Sequence, residues 1–306
     1  MSKTLNTIFI SIASYRDPEL GHTIKSAIEN AEYPDNLRFG IVHQGTDKEM
    51  PDLSKIQNKK IISMHPRDAL GVGFARSKAM ELYDKEKYFL QIDSHMQFVK
   101  GWDTKLINQL DMAKEKSKND KIIISAFPGM YIRESNQAEL IGFHKGNNMT
   151  YPCKQVLSRR KTGHWASVRV DFVDKDNTPE ESNTILAGFI FADGNIVKDI
   201  PYDPEISFFG EELCFAMRAW TRGWDIYSPK EFILYHFYGR NGYKKIWKDH
   251  NVRIISWEEI ESKSAEKQKN VLCGFEQGIM GAGNIRSLKE YESFTGLDFK
   301  KEYSVE

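Results

Sequence analysis

The chain has 306 residues, 40% apolar, 12% aromatic and 28% charged, a globular composition with ample core material and no signature of disorder. Forty-three Lys plus Arg balance forty-three Asp plus Glu, so no global field draws it to nucleic acid or to an anionic membrane. The length excludes a peptide-sized module and fits one large α/β domain or a domain with an appendage.

The early apolar run at 8–13 is too short for a signal-peptide core, and no apolar stretch reaches the roughly eighteen residues of a membrane span. A soluble, cytoplasmic chain without membrane contact is expected. Cys153, Cys214 and Cys273 are odd in number and widely spaced, with no C-x-x-C pair, which predicts reduced thiols. Asn148-Met149-Thr150 matches a glycosylation acceptor, a pattern that matters only in a secreted chain.

Taken in chain order, residues 7–13 predict a short buried strand, 14–18 a polar loop, and 19–31 a helix ended by Tyr33-Pro34-Asp35. Further strands are expected over 38–43, 60–64, 88–92 and 122–127, with a helix over 76–84. This alternation argues a mostly parallel central sheet flanked by helices, whose ligands sit beyond the carboxyl ends of the strands. Residues 131–183 lose periodicity and read as an insertion or long loop. A buried strand is expected over 184–192, a helix over 211–221 with Gly223 past its end, and a strand over 232–238; the tail from 251 reads as helical or irregular. The division is a catalytic domain over 1–250 and a C-terminal extension over 251–306.

Several motifs carry chemistry. Gly71-Val72-Gly73-Phe74-Ala75-Arg76 follows a strand and opens a helix, with Asp93 near where a dinucleotide site keeps its ribose acid. The third glycine is missing, and Arg76 in its place brings a cation to a helix start where a phosphate could lie. In Gln91-Ile92-Asp93-Ser94-His95, residues two apart in extended chain point to one side, so Asp93 and His95 can present oxygen and nitrogen to one divalent cation such as Mn²⁺. The alternative is that Asp93 caps a turn and His95 packs. Gly188 in an apolar strand permits close approach of a ligand or marks a bulge. Glu211 and Glu212 begin a helix, where acids commonly serve as helix-end stabilisers. His236 lies in the hydrophobic run Tyr235-His236-Phe237-Tyr238, the setting of a core histidine or of a ligand.

The phrases Ser11-Ile12-Ala13-Ser14-Tyr15-Arg16-Asp17, Gly71 to Arg76, Gln91 to His95 with Phe98 and Trp102-Asp103 downstream, Gly210-Glu211-Glu212 and Tyr235-His236 together resemble the cytoplasmic polypeptide α-N-acetylglucosaminyltransferases that act on hydroxyproline. The resemblance covers roughly 7–130 and 184–245. It implies a GT-A type nucleotide-sugar transferase fold, a UDP-sugar donor, Mn²⁺ or Mg²⁺, and retention of the anomeric configuration. By position it implies that Ser14, Tyr15, Arg16, Gln44, Arg76 and Gly188 surround the nucleotide-sugar. It likewise implies that Asp93, His95 and His236 hold the metal, and that Glu211 or Glu212 binds sugar hydroxyls or the acceptor. The expected function is metal-dependent, retaining transfer of a sugar, N-acetylglucosamine by resemblance, from UDP to a hydroxyl acceptor on protein.

Two other readings stand beside it. Residues 141–170 contain Lys145, Lys154, Arg159, Arg160, Lys161 and Arg169 with two His and no acid, so a nucleic-acid acceptor such as a hydroxymethylated base is conceivable; acids at 171–181 balance the run. A nucleotide-sugar or glycan binding module without turnover is the reading from another class. Asp93, His95 and both glutamates argue against it, because a binder has no need of a metal at a leaving group.

Overall fold

The computed structural model describes residues 6–134, 137–142, 152–159, 165–174, 176–240, 242–249 and 251–303. Strand β1 (Ile8–Tyr15) is buried along most of its length because parallel partners flank it on both sides, β2 (Leu37–Gln44) and β4 (Tyr88–Asp93). Ile8, Ile10 and Ile12 face one layer, where they pack with Leu20 and Ile24 of α1 (Leu20–Asn30) and with Trp102 and Leu106 of α3 (Trp102–Ser117). Phe9 and Phe89 face the other, with Met80 of α2 (Val72–Met80) and Phe215 of α5 (Glu211–Thr221). The period of two thus divides the apolar residues between two helical layers.

The main sheet has eight strands in the order β11-β13-β6-β12-β4-β1-β2-β3, where β3 is Lys59–Met64, β6 Ile122–Ile124, β11 Glu180–Ser182, β12 Phe189–Asp193 and β13 Asp225–Ser228. Four of its seven pairings are parallel; β12 runs antiparallel between β4 and β6, and β11 antiparallel to β13. A smaller sheet has the order β5 (Met96–Phe98), β14 (Leu234–His236), β7 (Gly129–Glu134), β8 (Gln137–Gly142), and β9 (Lys154–Arg159) pairs with β10 (Trp165–Val170) as an antiparallel ribbon. Within 131–183, which reads as loop from sequence, the described residues are therefore largely strand. The acceptor pattern at Asn148, and Lys145, Arg160 and Lys161 of the basic run, lie outside the described residues.

The C-terminal residues are helical: α6 (Trp257–Leu272), α7 (Leu288–Thr295) and α8 (Phe299–Glu302) follow the short α4 (Ile196–Asp199) and α5. Ser256 caps α6 by accepting from Glu259 N–H, and Ser287 with Glu290 forms a capping box on α7. Leu272, Tyr291 and Phe299 are buried in the same apolar cluster as Phe215 and Met217 of α5. The three cysteines are free and buried. No helix among the described residues is long and apolar enough to cross a membrane.

The glycines before α2 have a local cause. A Cβ at Gly71, whose φ is +117°, would lie 2.5 Å from the Ser207 carbonyl oxygen, and one at Gly73 would lie 2.0 Å from that of Ile206. The pair makes room for backbone of the 203–207 segment.

Candidate active site

Strand β4 ends at Asp93, and the chain turns through Ser94 and His95 into β5. Because β14 pairs antiparallel to β5 with His236 opposite Met96, residue 236 is brought to the same strand end. One carboxylate oxygen and two imidazole nitrogens converge there: His236 Nε2 lies 3.3 Å from Asp93 Oδ2, His95 Nε2 lies 3.9 Å from the same oxygen, and the two Nε2 atoms are 2.8 Å apart. The ligand atoms of Asp93, His95 and His236 all lie within 4.8 Å of one another, a spacing that one divalent cation can satisfy.

The tautomers follow from the partners. His95 Nδ1 faces Asp17 Oδ2 at 2.8 Å, which makes Nδ1 the donor and leaves the Nε2 lone pair turned to the site. Burial holds His236 neutral by lowering its pKa to about 4. Burial alone would raise the Asp93 and Asp17 carboxyls, yet the His236 contact and the Arg76 guanidinium hold Asp93 well below the usual range, and the bond to His95 holds Asp17 at about 2. An ionised carboxylate and two imidazole nitrogens form a donor set that suits Mn²⁺ or a related ion.

Behind Asp93 stands Arg76, whose side chain is 3% exposed. Its Nη2 donates to Asp93 Oδ1 at 2.8 Å and its Nη1 to Glu211 at 2.8 Å, while Tyr202 Oη also donates to Glu211 at 2.7 Å. The guanidinium is thus committed to two carboxylates. Glu211 is fixed by the same pairing, although burial raises its pKa overall. Glu212 is the freer acid: its Oε1 accepts Ala187 N–H at 2.9 Å, and burial lifts its pKa to about 7. Gly188 explains itself here, since a Cβ would sit 2.6 Å from Asp93 Oδ2; the close approach it permits is that of the carboxylate.

These groups line a cleft of about 320 Å³. Tyr15, Gln44, Arg76, Gly188, Glu211 and Glu212 reach it together with the three candidate ligands. Ser14 and Arg16 are not among its lining residues. Ser14 is fully buried at the end of β1. Arg16 adopts a left-handed backbone conformation, φ 48°, and its guanidinium pairs with Glu49 at 2.8 Å and Asp249 at 2.7 Å. Asp193, a possible nucleophile by type, pairs with Lys114 and lies opposite Tyr88, at the far end of β4 from Asp93.

The model of the glycosyltransferase (GlcNAc) family matches residues 7–62 and 53–301. The chain belongs to this family. A likeness in fold comes from the crystal structure of GalNAc-T7 with UDP, GalNAc and Mn²⁺, which superposes with a TM-score of 0.61 at 15% identity over 99% of this chain and 57% of that chain. The S. aureus TarS structure in complex with UDP-GlcNAc aligns at a TM-score of 0.48 and 13% identity, over 78% of this chain and 60% of that one. The chain thus spans less than two thirds of the solved chains it resembles. No curated protein sequence matches it. The fold is the GT-A type of glycosyltransferases.

Set in this glycosyltransferase family, the site contains residues that sequence reasoning left unassigned. Asp17 belongs to the quoted Ser11 to Asp17 phrase, but nothing local shows that it meets His95. Tyr202 and Asp249 sit in stretches without a pattern. Arg240, Lys244 and Lys245 line the cleft from the segment after β14; the run of cations four to nine residues beyond His236 was the available signal. Of the basic run at 141–170, the described Arg169 stacks over the Phe127 ring at 4.5 Å.

Proposed function

We propose that the chain transfers a sugar, N-acetylglucosamine in the first instance, from a UDP-sugar to a hydroxyl acceptor on protein, with a divalent cation and with retention at the anomeric carbon. The observation that carries this reading is the convergence of Asp93, His95 and His236 at the floor of the family's cleft. Support comes also from the shared fold, whose GalNAc-T7 representative was crystallised with UDP, GalNAc and Mn²⁺.

Breaking the bond between the anomeric carbon and phosphate leaves negative charge on the departing diphosphate. Asp93, His95 and His236 would hold the cation, which when bound would supply Lewis-acid stabilisation of that charge. Arg240, Lys244 and Lys245, on the cleft wall, add positive charge to the same region. Arg76 holds the Asp93 carboxylate in place from behind. Glu212 offers the substrate an oxygen, Oε2, with no hydrogen-bond partner among the described residues, and so suits a sugar hydroxyl or the acceptor. With Asp193 at the far end of β4 and Glu211 committed to Arg76, Glu212 is the one of these three acids left for a double displacement; attack from the leaving-group face is the alternative route to retention, the acceptor proton passing to a diphosphate oxygen.

The test is UDP release from a panel of UDP-sugars with Mn²⁺ and a hydroxyproline peptide or serine peptide. We expect turnover with UDP-N-acetylglucosamine, abolished by chelator and by Asp93→Ala or His236→Ala in folded protein. Full turnover in excess chelator sinks the metal reading, and thermal stabilisation by NAD instead of UDP plus Mn²⁺ sinks the nucleotide-sugar reading. For either ligand at about a hundred times its Kd, roughly 2.7 kcal/mol of stabilisation makes the melting shift easy to see.

A further inference from the structure

Asp17 follows the left-handed turn at Arg16 and is buried, its side chain 2% exposed. Its Oδ1 accepts Glu19 N–H at 3.0 Å; its Oδ2 accepts from His95 Nδ1 at 2.8 Å and from Ser94 Oγ at 2.8 Å, and Arg240 Nη1 approaches the same oxygen at 3.4 Å. Apart from Ser94 Oγ at 3.5 Å, no other described group meets His95 Nδ1. The ring's aim therefore depends on this carboxylate.

We propose that Asp17 is a positioning residue for the cation. By accepting a hydrogen bond from Nδ1–H it keeps His95 in the tautomer whose Nε2 lone pair faces His236 and Asp93, and it fixes the ring plane. By sharing Oδ2 with Arg240 it also ties that metal ligand to a cation that lines the cleft together with Lys244 and Lys245. A carboxylate behind a ligating imidazole typically accounts for 10–100-fold in metal affinity. A purely structural Asp17 would serve the start of α1 through Glu19 N–H and leave metal affinity alone. The inference rests on the metal-dependent reading above.

The experiment is Mn²⁺ binding to the full chain, without donor, read from the electron paramagnetic resonance signal of free Mn²⁺. Wild type is expected to bind, Asp17→Asn about 10–100-fold more weakly, and Ser94→Ala, which removes one other side-chain bond to Oδ2 and leaves those from His95 and Arg240, close to wild type. If wild type takes up no Mn²⁺, the metal reading itself falls. If wild type binds and Asp17→Asn matches it within about twofold, well short of the loss such a partner gives, only this inference falls. Should Asp17→Asn not fold, long-range ¹H–¹⁵N spectra of the metal-free wild type at alkaline pH still decide: the proton on His95 Nδ1 is expected, and a proton on Nε2 overturns the proposal.

Discussion

Glu211 and Glu212 are neighbours in sequence, and the structure gives them different partners. Glu211 neutralises a buried guanidinium that Asp93 only half satisfies. Glu211→Gln should therefore destabilise the protein by up to about 3–5 kcal/mol, the cost of breaking a buried pair, seen as a lower urea midpoint. Glu212→Gln should instead lower turnover a hundredfold or more if Oε2 positions substrate, because misplacement of about an ångström costs that much. Its stability signature is distinctive. The folded carboxyl titrates near 7 against an ordinary value of 4.5, so the folded state holds the proton more tightly and stability falls as pH rises from about 4.5 to about 7. Melting curves at pH 5 and pH 8 should show that slope in wild type and a smaller one in Glu212→Gln. Gly188→Ala places a methyl 2.6 Å from Asp93 Oδ2. We expect it to weaken Mn²⁺-dependent turnover at least tenfold, about 1.4 kcal/mol in barrier terms, with the fold intact; unchanged turnover would show that the carboxylate can shift freely.

At the scale of elements, β1, β2, β3, β4 and α5 were legible because each carries an unmixed period or a dense apolar run. Helix α3 was not. Trp102, Leu106, Leu110 and Ala113 form a stripe, but Lys105, Asp111, Lys114, Glu115 and Lys116 crowd its other faces and dilute the signal. The stripe matters: Trp102 is fully buried, donates its indole N–H to Ala27 O at 2.8 Å and packs on Phe98 at 4.6 Å between ring centres. Trp102→Ala should cost about 3–5 kcal/mol, read as a lower urea midpoint at unchanged slope. Strands of three or four residues such as β5 and β13 are too short for a period to declare itself, whereas β6 was read from its run of isoleucines. The Asp93-x-His95 pair was readable because its two ligand types sit side by side past an apolar strand, although the chain bends at Ser94 and His95 instead of running extended through them. The third donor, His236, was reached only through the family resemblance, and the Arg76 pairing and the Asp17 contact were not legible at all, since each joins residues 17 to 141 positions apart.

For the whole molecule, residues beyond 250 pack into the main core instead of hanging from it. Leu272, Tyr291 and Phe299 cover the helix that presents Glu211 and Glu212. A chain ending at residue 250 should lose cooperative melting and transfer together; a stable, active truncated protein would support the division into a catalytic domain over 1–250 and an extension over 251–306.

The antiparallel insertion of β12 has a consequence for how the protein is made. Strand β4 emerges from the ribosome about a hundred residues before the partner that fills its second edge, a wait of roughly 5–20 s at ordinary synthesis rates. During that interval Phe89 and Leu90, fully buried in the finished protein, stand beside an open row of backbone donors and acceptors. The nascent chain is thus most prone to wrong pairing between synthesis of residues 93 and 189. Stalled chains of about 150 residues should be captured by holdase chaperones, whereas chains released past residue 303 should not.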